Sequence, residues 1–234
     1  MKLQKILKYG WLGVSAALLL AVIAFICFTA IAILTRKEHP ISDYLTEKYT
    51  RQSRPFILQA FKMLANAQPG QTALVLSAEL ADRDVSLPLE KGYNIIVFDE
   101  ARIGFELIIP NSHLYPGRIK YDWDFENPDL NRFPVVDLLM ASFVLPFYAP
   151  ETFKSNWQIL NSKIKPGGYF IGNFFDPRFN IFKDEIRKDM TFLKKEEVLA
   201  LFKDYDILIF NEVQKVSEKK TEYYYEVLAR KKQR

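Results

Sequence analysis

The feature that most constrains this chain is a run of 24 apolar or small residues, Trp11 to Leu34, without a charged side chain. As a helix rising about 1.5 Å per residue it reaches roughly 36 Å, slightly more than the ~30 Å hydrocarbon layer of a bilayer. It therefore reads as a transmembrane helix. Lys2, Lys5 and Lys8 ahead of it would also suit a signal peptide. The apolar core of a signal peptide is typically about 7–15 residues, however, and no small-x-small cleavage site closes this run. The chain then divides into a basic flank (1–10), a membrane helix (11–34), a juxtamembrane linker (35–54) and one domain (55–234). Arg36, Lys37, Lys48, Arg51 and Arg54 outnumber the three preceding lysines, which favours a cytoplasmic domain.

The formal charge of +4 comes largely from the flank. Beyond the span, 29 basic residues face 28 acidic ones. A domain so close to neutral lacks the electrostatic footprint of a nucleic-acid binder. The basic end Arg230-Lys231-Lys232-Gln233-Arg234 reads as a solvated terminus. Cys27, the one cysteine, lies in the apolar run, so the domain has no thiolate chemistry, disulfide or cysteine-based metal site. His39 and His113 have no metal-binding spacing, and no metal is expected.

Within the domain, Pro55 suits a first helical turn, and Ile57, Leu58, Phe61 and Leu64 recur at helical spacing until Pro69-Gly70. Ala73–Leu76 is a short apolar run suited to a buried parallel strand. Asp84 opens a helix that ends at Lys91 and Gly92, and Tyr93–Phe98 forms a second strand. Glu100–Leu107 reads as a brief helix, Arg118–Trp123 as a third strand and Val135–Phe143 as a fourth. Phe153, Trp157, Leu160 and Ile164 place one apolar stripe on a helix opened by Pro150. Pro166-Gly167-Gly168 turns the chain into a fifth strand, Tyr169–Phe175. A helix over Lys195–Phe202 precedes a hairpin of Tyr205–Val213 and Glu222–Ala229. Strands alternating with helices imply a Rossmann-like α/β fold: a mostly parallel sheet with helices on both faces and a C-terminal antiparallel hairpin, preceded by one transmembrane helix.

Phe133-Pro-Val-Val-Asp137-Leu-Leu-Met-Ala-Ser142-Phe143-Val-Leu-Pro146-Phe147, with Ile164-Lys-Pro166-Gly167-Gly168-Tyr-Phe170 after it, resembles the class I S-adenosylmethionine-dependent methyltransferases. Ile171-Gly-Asn173-Phe-Phe175 and Met190-Thr-Phe192-Leu-Lys-Lys-Glu196-Glu197-Val198 are similar to small bacterial members related to tellurite-resistance methyltransferases. The resemblance runs from about Tyr49 to Lys231. It implies S-adenosyl-L-methionine as cofactor, with the first strand leading into a loop against the cofactor's methionine end.

Family members use glycines in that loop, where the backbone must approach closely and adopt φ values that a Cβ discourages. Here Ser77-Ala78-Glu79-Leu80-Ala81-Asp82 contains none. The resemblance places Ser77, Ala78 and Glu79 at the cofactor, with Arg83 following as in the family. Asp99, at the end of the second strand, would accept hydrogen bonds from the vicinal ribose hydroxyls; its alternative is a helix cap. Asp122 or Asp124 would hold the adenine amino group, with Trp123 against the base. Ser142 would face the sulfonium, and Phe143 reads as core. Asn173 does not fit the Asn-Pro-Pro-Tyr signature of amino-group methyltransferases, since it belongs to the fifth strand rather than following the fourth, and Phe174-Phe175 replace the prolines. It reads as structural.

Methyl transfer from a sulfonium needs alignment, exclusion of water and, for some acceptors, removal of a proton. No general base stands out. Two functions follow from the residues. One is a membrane-anchored methyltransferase acting on a small or lipid-proximal acceptor. The other, motivated by the glycine-free loop, is an inactive methyltransferase-like domain that binds a protein partner at the membrane.

Overall fold

The structure is a computed structural model that describes residues 55–77, 86–99, 114–122, 129–216 and 220–233. The apolar run 11–34, the linker 35–54, the loop 78–85, the expected helix at 100–107, and Trp123 and Asp124 lie outside the described residues. Among those described, no helix is long and apolar enough to cross a membrane.

The elements run α1 (Pro55–Met63), β1 (Thr72–Ser77), α2 (Ser86–Glu90), β2 (Asn94–Asp99), β3 (Ile119–Asp122), β4 (Val136–Ala141), α3 (Pro150–Lys163), β5 (Ile164–Phe175), α4 (Asp184–Arg187), α5 (Lys195–Leu201), β6 (Tyr205–Val216) and β7 (Thr221–Lys231). The strands form one sheet in the order β3-β2-β1-β4-β5-β7-β6. The first five are parallel, and β7 inserts antiparallel between β5 and β6. The mostly parallel sheet and terminal hairpin match the sequence reading.

Period-2 alternation distributes each strand's residues between two cores. Leu74, Leu76, Leu139, Phe170 and Phe174 pack on Phe153, Trp157 and Leu160 of α3 and on Val198 and Phe202 around α5. Ala73, Val75, Leu138, Met140 and Ile171 pack on Phe56, Ile57, Ala60 and Phe61 of α1 and Leu89 of α2. A sheet buried on both faces needs near-continuous apolar strands, which is why β1, β2 and β4 read so clearly.

Asp137 is the polar residue inside β4. Its carboxylate accepts from Thr72 N at 2.9 Å and from Lys165 Nζ at 2.8 Å, so it ties the starts of β1, β4 and β5 together.

The Pro-Gly-Gly segment is the main local correction. It does not precede β5 but lies within it: Val136 pairs with Ile164 and Leu138 with Tyr169, so two steps along β4 oppose five along β5. Gly167 absorbs the irregularity at φ +79°, where a side chain would be strained.

Gly172 is required for a different reason. A Cβ there would come within 2.5 Å of Phe170 Cζ and 2.8 Å of the Ala141 carbonyl oxygen. The Phe170 ring occupies the space above Gly172 while stacking toward Phe174, centroids 5.9 Å apart. Gly172→Ala is therefore expected to cost about 1–3 kcal/mol by overpacking. Chemical denaturation checks this, and an unchanged midpoint would show that β4 and β5 can separate without cost.

Candidate functional site

The cross-strand register defines two successive rows near the C-terminal end of the parallel strands. Val97, Val75, Met140, Ile171, Leu228 and Ile209 form an apolar row across β2, β1, β4, β5, β7 and β6. Two residues further along, the row is polar throughout. Asp99 is level with Ser77. Leu76 pairs with Ala141, and Ala141 with Gly172, so the next positions are Ser77, Ser142 and Asn173. Asn173 then pairs with Glu226, and Glu226 with Asn211. In an open parallel sheet, the strands' carboxyl ends are where ligands bind.

The polar row is not evenly satisfied. Asn211 Nδ2 donates to Glu226 Oε2 at 3.1 Å. Asn173 is fully buried and Ser142 is 5% exposed. Among the described residues, neither the Ser142 hydroxyl nor either end of the Asn173 carboxamide has a hydrogen-bond partner. Native structures leave few such groups, because each costs about 1–3 kcal/mol when unsatisfied.

One row further on, Phe175 pairs with Tyr224. The Phe143 ring rests on both, with centroids 5.9 Å from Phe175 and 5.2 Å from Tyr224. Phe143 is buried, as expected, but its backbone is left-handed at φ 53°. A bulky residue is uncommon there, and such strain tends to collect at functional sites. It directly follows Ser142.

Of the other residues singled out in the sequence, Asp122 ends β3 and forms an ion pair with Arg132 Nη2 at 2.6 Å through Oδ1. Arg132 also lies over the Phe98 and Phe133 rings. A carboxylate has a second oxygen, so Asp122 can still accept from a base amino group. Ser77 and Asp99 occupy the expected strand ends. Ala78, Glu79 and Arg83 lie outside the described residues.

Beyond β5, Asp176 anchors a polar cluster on the hairpin. It accepts from Arg178 Nε at 2.6 Å, Arg178 Nη2 at 2.9 Å and Arg178 N at 2.8 Å, and from the Tyr225 hydroxyl. Burial alone would raise this carboxyl, but the Arg178 and Tyr225 hydrogen bonds outweigh it and hold the carboxyl at about 2. This cluster was not anticipated from sequence, because Tyr225 lies 49 residues away and only the β5–β7 register brings it close.

A polar cavity of about 320 Å³ opens at the opposite end of the sheet, lined by Gln71, Asp137, Gly167, Tyr169 and Arg230 among others. Its charged groups are engaged: Asp137 holds Thr72 and Lys165, and Arg230 Nε donates to the Gly167 carbonyl oxygen at 3.2 Å. The unpartnered Ser142 and Asn173 side chains lie at the other end, in the polar row. Among the described residues, no group of three His, Cys, Asp or Glu side chains could hold a metal.

No family model and no curated protein matches the sequence. Solved structures do match the fold. TehB from Haemophilus influenzae is 16% identical with a TM-score of 0.59, covering 82% of this chain and 67% of its own. The 1,6-didemethyltoxoflavin-N1-methyltransferase from Burkholderia thailandensis is 14% identical with a TM-score of 0.55, covering 88% and 89%; it was solved with 1,6-didemethyltoxoflavin and S-adenosylhomocysteine bound. The N-methyltransferase NodS from Bradyrhizobium japonicum is 12% identical with a TM-score of 0.55, covering 84% and 99%. The fold is that of the S-adenosylmethionine-dependent methyltransferases. Within that methyltransferase fold, the sequence resemblance to tellurite-resistance members agrees with the likeness to TehB.

Proposed function

We propose that this chain is a membrane-anchored methyltransferase that uses S-adenosyl-L-methionine and acts on a small or membrane-proximal acceptor. The observation that carries this reading is the polar row at the C-terminal strand ends, with Ser142 and Asn173 buried and unpartnered among the described residues, in a fold shared with methyltransferases. The residues present suit the cofactor. Asp99 would accept from the ribose hydroxyls, Asp122 from the adenine amino group, and Ser77, Ala78, Glu79 and Arg83 would frame the methionine end. Bound there, the cofactor supplies an electrophilic sulfonium methyl. Ser142, two strands across the row from Asp99, would stand beside it, while the Phe143, Phe175 and Tyr224 rings exclude water. The membrane anchor rests on the length and uniform apolarity of Trp11 to Leu34.

Calorimetry of the full chain in detergent with S-adenosylhomocysteine tests the proposal. Binding is expected, and Asp99→Ala should weaken it by about 2–3 kcal/mol, roughly 30- to 150-fold in Kd, through loss of hydrogen bonds to a charged acceptor. Failure of the wild-type chain to bind would favour the inactive interaction module that the glycine-free loop Ser77–Asp82 suggests.

A further inference from the structure

Among the described residues, the Asn173 carboxamide has no partner for its donors or its acceptor, although it lies on a central strand between β4 and β7. A side chain with only a packing role would be apolar there, as Ile171 is two residues earlier on the same face. An amide offers a donor and an acceptor side by side, which suits a bidentate pairing with another planar amide edge. The Ser142 hydroxyl, one residue past the Ala141–Gly172 pair as Asn173 is, adds a rotatable donor and acceptor. Next to Asn173 the Phe143, Phe175 and Tyr224 rings supply an aromatic wall. Asn173 is three strands from Asp99, roughly 14 Å at ordinary strand spacing, and lies past Ser142.

From this we infer that Asn173 and Ser142 recognise the methyl acceptor, and that the acceptor is a flat heteroaromatic bearing adjacent N–H and C=O groups, a lactam edge. The inference rests on the methyltransferase reading for its label of acceptor, but the recognition chemistry rests on the side chains themselves. The Asn173 Nδ2 would donate to the lactam carbonyl, and its Oδ1 would accept from the lactam N–H. Neither Glu226, engaged by Asn211, nor the rings can offer that pair. Recognition comes at the expense of stability, since the free protein keeps two polar side chains buried without partners among the described residues.

That trade-off separates recognition from packing. Asn173→Leu is nearly isosteric and removes the unsatisfied amide, so the free full chain is expected to melt above wild type. 2-Quinolone is the probe, and N-methyl-2-quinolone, which lacks the donor, is its control. Wild type should bind 2-quinolone at least about tenfold more tightly than the control, and Asn173→Leu should lose that preference while retaining S-adenosylhomocysteine binding. An Asn173→Leu variant less stable than wild type would overturn the inference, because the amide would then have a partner within the fold. Equal binding of the two quinolones to wild type, or no binding of either, would overturn it without any variant. Loss of S-adenosylhomocysteine binding in wild type, with the quinolone preference intact, would remove the cofactor reading and leave the lactam recognition standing.

Discussion

Trp157→Ala is expected to destabilise the domain by about 3–5 kcal/mol, a large fraction of the ~5–15 kcal/mol that holds a typical domain folded. Trp157 is 5% exposed and projects from α3 into the core between that helix and the sheet. Its ring meets Phe202 at 5.2 Å, Phe170 at 5.4 Å and Phe174 at 6.0 Å between centroids, each edge-to-face. These are geometries that aromatic pairs favour beyond simple area burial. Phe170 and Phe174 sit on one face of β5, and Phe202 follows α5, so one indole joins two helices to a central strand. Because Gly172 lies between the two phenylalanines, Phe170 cannot close the resulting void without meeting the β5 backbone. Urea denaturation measures the loss. A change below about 1 kcal/mol would show that the cluster collapses into the cavity, contrary to the packing described.

The second large effect is at Asp176. Asp176→Asn preserves shape but removes the charge that pairs with Arg178 and accepts from Tyr225. A carboxyl titrating near 2 instead of its ordinary 3.8 contributes about 2 kcal/mol at neutral pH. The sign follows from linkage. The folded state depresses the carboxyl, so the contribution is fully present above about pH 4 and is lost as pH falls through about 2. Wild type and Asp176→Asn should therefore differ most at neutral pH and converge in acid. Thermal melts from pH 7 down to pH 2.5 provide the test, and a difference independent of pH would mean that the charge is not what holds the hairpin to the end of β5.

These two sites differ in how legible they are. Trp157 lies on a stripe with Phe153 and Leu160 that the sequence displays directly, since helical periodicity is local. Asp176 gives no such signal. Its partner Tyr225 comes close only through strand pairing, and one residue of slip would turn that tyrosine to the other face.

Sequence by itself determined the order of elements, the mostly parallel sheet and the closing hairpin, because apolar runs and alternation record burial residue by residue. It also marked Asp99 and Ser142 as strand-end polar residues, as they follow directly on apolar runs, while Asp122 was marked through the family resemblance. It put Pro-Gly-Gly ahead of β5 when the segment lies inside it, because a glycine at φ +79° serves a turn and a strand irregularity equally well. Asn173 read as structural, since a lone polar residue in a strand carries no record of its neighbours. Tertiary structure alone paired Asn173 with Glu226, set it one step past the Ala141–Gly172 pair as Ser142 is, and, among the described residues, left its amide buried without a partner. Register and hydrogen-bond satisfaction join residues tens of positions apart, so only the folded sheet brings them together.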